Sequence, residues 1–128
     1  KGDKKKKSAP LSKPLSYISN SGYEILVGKN NRQNDELTFR TARKDDLWLH
    51  IKDFHGSHVV IRCAGAQPDD ATVSYAANLA VTHSEADGKA AVDMARVKFV
   101  KKTPGAKPGM VIYTNYTTVM GEPLHQLR

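Results

Sequence analysis

An indole, three imidazoles and a hydroxyl crowd into a short part of the stretch Asp45–Cys63, DDLWLHIKDFHGSHVVIRC: Trp48, His50, His55, Ser57 and His58. Metal binding is the first chemistry such side chains suggest, with Asp45, Asp46 and Asp53 close by. Zinc needs three or four converging ligands at suitable spacing. The stretch has neither a cysteine pair nor a His-Glu helix motif, so no metal or other cofactor is expected. Nucleophilic catalysis is the second chemistry. Ser57 beside His58 suggests a nucleophile and its base, but neighbours on a strand point to opposite faces. His50 could still reach Ser57 across a hairpin. The third chemistry is recognition, in which rings stack on a ligand and imidazoles hydrogen-bond to it.

The elements that must position these groups are two strands. Leu47, Leu49 and Ile51 alternate with Trp48, His50 and Lys52, and Val59, Ile61 and Cys63 alternate with His58, Val60 and Arg62. Period-two alternation gives one aliphatic face and one aromatic and polar face. The linker Asp53–Ser57 holds Gly56, which can take the positive φ of a turn. Antiparallel pairing then gathers Trp48, His50, His55, Ser57 and His58 near the turn. The aliphatic face is expected to meet the core. The other face is either open to a ligand or a second, partly buried sheet face.

The rest of the chain supplies a scaffold. Leu15–Ser19 and Tyr23–Val27 flank the turn signal Asn20-Ser21-Gly22 and read as a hairpin. Gly28-Lys29-Asn30-Asn31 ends it. Asn34 can cap a short helix over 34–43, with Asp35 and Glu36 in its first turn and Arg40 and Arg43 near its end. Asp69 or Asp70 can cap the main helix, over 70–83, where Val73, Ala76, Ala77, Ala80 and Val81 fall at helical spacing. Val92–Lys101 reads as extended. Pro104–Gly109 is a stiff loop. Met110–Asn115 reads as a strong strand, and Thr117–Met120 extends the sheet. The expected fold is α+β: a mainly antiparallel sheet with one main helix and one short helix.

A chain of 128 residues is enough for one domain. Residues 1–13 are expected to be a disordered basic linker and residues 14–128 the domain. The net charge is +7, of which six lysines and one aspartate in the first thirteen residues supply +5. The folded part is therefore only mildly basic. The single cysteine, Cys63, lies in an aliphatic strand; it is expected to be buried and fits a reducing compartment. No apolar run is long enough to cross a bilayer and no signal peptide is visible, so no membrane contact and a cytoplasmic location are expected. The chain opens on Lys1 rather than methionine, which reads as a fragment or a processed chain.

Two stretches suit a polyanion. Lys29-Asn30-Asn31-Arg32-Gln33-Asn34-Asp35 is dense in amides, which donate and accept and so match base edges and ribose hydroxyls. Lys98, Lys101, Lys102 and Lys107 flank a glycine loop, and lysines beside exposed backbone amides suit phosphate. The segments GYEILVGKNNRQNDELT, DLWLHIKDFHGSHVVI and VKKTPGAKPGMVIYTN resemble, in the same order, the signatures of the NFACT-R domain of the NFACT proteins, the RqcH and fibronectin-binding protein A-like family. The resemblance covers about Pro14 to Pro123. His55 stands where that family usually has proline, and Met94-Ala95 where Tyr-Thr is common.

The resemblance implies an RNA-binding part of a ribosome-associated quality-control factor. Such factors bind the large ribosomal subunit carrying a stalled chain and recruit tRNA for C-terminal tailing, alanyl-tRNA in bacteria. The part that selects tRNA in those proteins is not in this sequence, so the chain should not support tailing alone. The expectation is a noncatalytic module whose partner is large-subunit RNA or tRNA, with no small-molecule substrate. Lys29, Asn30, Asn31, Asn34, Lys101, Lys102 and Lys107 would contact phosphate and sugar. Trp48, His50 and His58 would stack on a base or brace the surface. The runner-up is a protein-binding module, in line with the fibronectin name and with a hairpin edge open to strand addition. The third reading is an RNA-processing enzyme using His50, Ser57 and His58.

Overall fold

The computed structural model describes residues 12–125. Most of the basic start therefore lies outside the described residues, as do the last three residues. Ser12 is held: its carbonyl oxygen and hydroxyl accept from Gln33 Nε2 at 2.6 and 2.8 Å.

The core is a six-stranded sheet, antiparallel at every pairing. Its strands are β1 (Leu15–Ile18), β2 (Glu24–Val27), β3 (Leu47–Ile51), β4 (Val59–Arg62), β5 (Ala90–Arg96) and, near the end of the chain, β8 (Thr117–Gly121). They lie in the order β1-β2-β4-β3-β5-β8, which puts the central pair β3 and β4 in the middle. A second sheet of two short strands, β6 (Val100–Lys101) and β7 (Ile112–Tyr113), stands apart. The α+β expectation is met, with the two hairpins and the main helix where the sequence places them.

The helix α2 (Asp70–Thr82) is capped by Asp69, whose side chain accepts from the Thr72 backbone N–H. It packs Ala76, Ala77, Leu79, Ala80 and Val81 on the face formed by Ile25, Val27, Leu47, Leu49, Ile51, Val59, Ile61 and Val92. Cys63 belongs to the same cluster and is buried. Small residues let α2 come close to β8. A Cβ on Gly121 would lie 2.5 Å from the Ala77 carbonyl oxygen. Gly121→Ala should therefore push helix and strand apart and cost about 1–3 kcal/mol. Thermal denaturation reads this, and an unchanged Tm would show that the two elements part freely.

The opposite face is covered too. Leu26, Trp48, Val60 and Ala95 pack against Leu37, Val97 and Val100, with Val111 and Tyr113 alongside. The domain thus has three layers, and the face carrying Trp48 is a second core.

Several local expectations change. The short helix α1 (Asn31–Glu36) starts earlier than expected, because Asn30 rather than Asn34 caps it by accepting from the Gln33 N–H at 2.9 Å. It runs on into a wider turn over Leu37–Thr41 and stops before Arg43. Asp35 is consequently outside the first turn. In the β3–β4 loop the left-handed residue is Asp53, at φ 68°, and not Gly56. Gly56 is needed for space: it bridges Ser84, and a Cβ there would meet the Ser84 Cβ at 2.8 Å. The expected strand Met110–Asn115 shrinks to β7, since only β6 pairs with it.

Candidate nucleic-acid interface

The Pro- and Gly-rich loop between β6 and β7 is fastened to the domain from beneath. Asp35, on α1, accepts the Gly109 N–H at 2.8 Å and the Lys102 ammonium at 3.1 Å. Lys102 Nζ also donates to the Lys107 carbonyl at 3.1 Å, closing the loop on itself. His58, just before β4, holds the other side. Its Nε2 donates to the Gly109 carbonyl at 3.1 Å and its Nδ1 accepts from Thr38 Oγ1 at 2.8 Å. One neutral tautomer satisfies both partners. The His58 backbone N–H in turn donates to Asn34 Oδ1 at 3.0 Å. A chain of side chains from two distant elements therefore fixes the backbone that carries Lys101, Lys102 and Lys107.

Two of the imidazoles, His50 and His58, are held uncharged. Burial pushes His58 down to about 3, and the neighbouring His50 ring adds to the effect. Burial also lowers His50. Both are neutral at pH 7, so neither adds positive charge to the surface.

A third cluster fixes the small sheet. Asp93 on β5 is buried and accepts from Tyr113 Oη at 2.5 Å, Thr118 Oγ1 at 2.8 Å and Lys52 Nζ at 3.1 Å. Burial pushes its carboxyl up, but these three donors together outweigh it and hold the group below the ordinary carboxylate value. The Lys52 ammonium lies 5.1 Å from the centre of the Tyr116 ring. The sequence carries a signal for this cluster that pattern reading passed over: aspartate is depleted in strands, and Asp93 falls inside one.

Between the β3–β4 loop and the Thr103–Val111 loop lies a cleft of about 950 Å³. Of the expected contact residues, Asn31, His50, His58 and Lys107 line it. Lys29 and Lys101 are exposed nearby in the chain, on the turn before α1 and on β6. Lys102 is exposed but ion-paired to Asp35. The Asn30 side-chain oxygen is taken by its cap. Asn34, expected to touch phosphate and sugar, is 3% exposed and braces His58 instead. Trp48 and His58 are 0% and 1% exposed, which leaves them bracing the surface rather than stacking on a base. Trp48 stacks parallel on His50 at 5.9 Å and meets His58 edge-on at 5.3 Å. Among the described residues Ser57 makes no side-chain hydrogen bond to an imidazole, and no three His, Cys, Asp or Glu side chains are placed to hold a metal ion. No described helix is long and apolar enough to cross a membrane. Sequence reasoning missed Phe54 and Met110, two exposed apolar side chains that also line the cleft.

Comparison with known proteins gives this arrangement a family. The chain is similar to the Rqc2 homolog RqcH of Bacillus subtilis (strain 168), 49% identical over 126 residues, which is 96% of this chain and 21% of that protein. It is 46% identical over 114 residues to the Rqc2 homolog RqcH of Streptococcus suis (strain 05ZYH33), covering 87% of this chain and 20% of that protein. The chain thus spans about a fifth of the length of the curated relatives it matches. Its fold is similar to the solved C-terminal part of the fibronectin/fibrinogen-binding protein from Streptococcus suis, with a TM-score of 0.86 and 43% identity, over 91% of this chain and 48% of that one. Residues 13–115 match the family described as the NFACT protein RNA binding domain. The chain belongs to the NFACT-R family, the RNA-binding domain of NFACT proteins.

Proposed function

We propose that this chain is the noncatalytic RNA-contacting module of a ribosome-associated quality-control factor in the cytoplasm. Its partner is large-subunit RNA or tRNA, and the contact runs along the Lys101–Lys107 loop and the turn at Lys29 and Asn31. In a family of RNA-binding domains, one observation carries the choice of surface: this lysine-bearing loop is pinned to the domain by Asp35 and His58. Lysines on a fixed backbone lose less freedom on binding than lysines on a loose one. The curated relatives are named Rqc2 homologs, which supports the quality-control assignment.

The roles of the lysines differ. Lys102 is neutralised in part by Asp35 and acts mainly to hold the loop, whereas Lys101 and Lys107 face solvent and meet phosphate. Lys107→Ala should leave stability within about 0.5 kcal/mol. It should lower the salt slope of RNA binding by about one phosphate contact. Binding isotherms at several salt concentrations measure this; an unchanged slope would move the contact elsewhere.

Protein binding is the second reading, favoured by the name of the similar solved structure. The outer edge of β8 closes one end of the sheet and carries Met120 at 58% exposure, a place where an added strand would fit. Binding of that kind would show little salt dependence.

A further inference from the structure

We propose that the 950 Å³ cleft receives one unpaired nucleobase of single-stranded RNA, with the flanking phosphates left at the rim beside Lys107. This rests on the RNA-binding reading and adds the class of RNA and the mode of contact. The size fits, since pockets for small ligands run from about 300 to 1,000 Å³.

The walls are suited to a flat, apolar ring. Phe54 stands on the β3–β4 loop at 48% exposure, and Met110 on the opposite loop at 56%. Two large apolar side chains held out from two separate loops over one cleft have no core to fill. Bases stack on aromatic side chains whatever their identity, because every base has a π-face. A thioether adds favourable contact to an aromatic ring.

The floor is polar without being charged. Both ring nitrogens of His58 are engaged, by Thr38 and Gly109, and the Ile51 and Gly56 carbonyls approach the His50 ring, so hydrogen bonding to the edge of a base falls first to Asn31. The neutral state of His50 and His58 matters here, since a cationic floor would draw in phosphate rather than a base.

Charge sets the direction of entry. Asp53 and Glu85 line the side of the β3–β4 loop, where the Glu85 N–H also donates to the His55 carbonyl at 3.0 Å. Lys107 lines the other side. Carboxylates repel phosphate but accept from the amino and imino groups of a base, while the ammonium attracts phosphate. The two rims therefore favour a nucleotide with its base edge toward the acids and its phosphate toward Lys107. A paired base cannot enter, because its faces are stacked and its edge is occupied.

The test compares two RNAs on the same protein: a labelled, unstructured oligoribonucleotide and a blunt duplex of equal length. Phe54→Ala should weaken the single strand about tenfold and leave the duplex unchanged. Phe54→Tyr should restore most of the loss, which a merely structural role for the loop would not predict. Phe54 is exposed, so folding survives the change, and circular dichroism checks this. If Phe54→Ala and Met110→Ala both bind the two RNAs as the unsubstituted protein does, the cleft holds no base and the proposal is overturned, while the RNA-binding reading stands. If the unsubstituted protein binds neither RNA, both are overturned.

Discussion

Trp48→Ala should destabilise the domain by about 3–5 kcal/mol, the range for truncating a buried aromatic. The side chain is 0% exposed. It lies in the second core with Leu26, Leu37, Val60, Ala95, Val97 and Val100, and its ring centre is 4.8 Å from that of Tyr113. The layer above is built from a six-residue helix and two-residue strands, elements too short to be stable without packing. Alanine would open a void between that layer and the sheet, beneath both His58 and the lysine loop. Total stabilities of about 5–15 kcal/mol make such a loss a large fraction of the whole. Trp48→Phe should cost much less, because Trp48 Nε1 has no hydrogen-bond partner to lose. Urea unfolding of both variants checks the pair; a loss under about 1 kcal/mol for Trp48→Ala would show that the second face is open rather than packed.

Lowering the pH from 7 to 4.5 should cost the folded state about 2–3 kcal/mol through His58 alone. The folded imidazole protonates only near 3, whereas in the unfolded chain it does so near the ordinary value of about 6.5. Between those values the unfolded chain binds the extra proton, so stability rises with pH. The contribution is complete above about 6.5 and is lost progressively as the pH falls toward the folded value. His50 and His83 are also lowered by burial and add in the same direction. Denaturation at a series of pH values measures the slope, and nuclear magnetic resonance shows whether the His58 ring titrates while the fold persists. Titration of His58 near 6 in the folded protein would contradict its burial between Thr38 and Gly109.

What was legible in the sequence follows from what is local. The alternation of Leu47, Leu49 and Ile51 with Trp48, His50 and Lys52 gave the two faces of β3, and Asp69 before an uninterrupted apolar period gave α2. The start of α1 was not legible, because Asn30 and Asn34 have the same capping chemistry. A tertiary contact decides between them, since Asn34 Oδ1 is taken by the His58 N–H. The second core was half legible: periodicity put Trp48 opposite Leu49 but could not say what would cover it. The site divides in the same way. The gathering of His50 and His58 was foreseen from the hairpin, with ring centres 5.5 Å apart. The fastening of the lysine loop was not, because its hydrogen bonds join residues 51 and 74 positions apart in the chain. Asp35 looked like a first-turn helix acid, and its role as the anchor of Lys102 and Gly109 exists only in the folded chain.

The lysine loop as an RNA contact is tested most directly by the salt dependence of binding in a double variant, Lys101→Ala with Lys107→Ala. Both side chains are exposed, so the fold is retained. Counterion release makes the slope of log affinity against log salt a count of the phosphates engaged. The double variant should bind large-subunit RNA or tRNA more weakly, with the slope reduced by about two contacts and the Tm unchanged. Equal affinity and equal slope in the double variant and the unsubstituted protein would contradict the assignment of this loop to RNA.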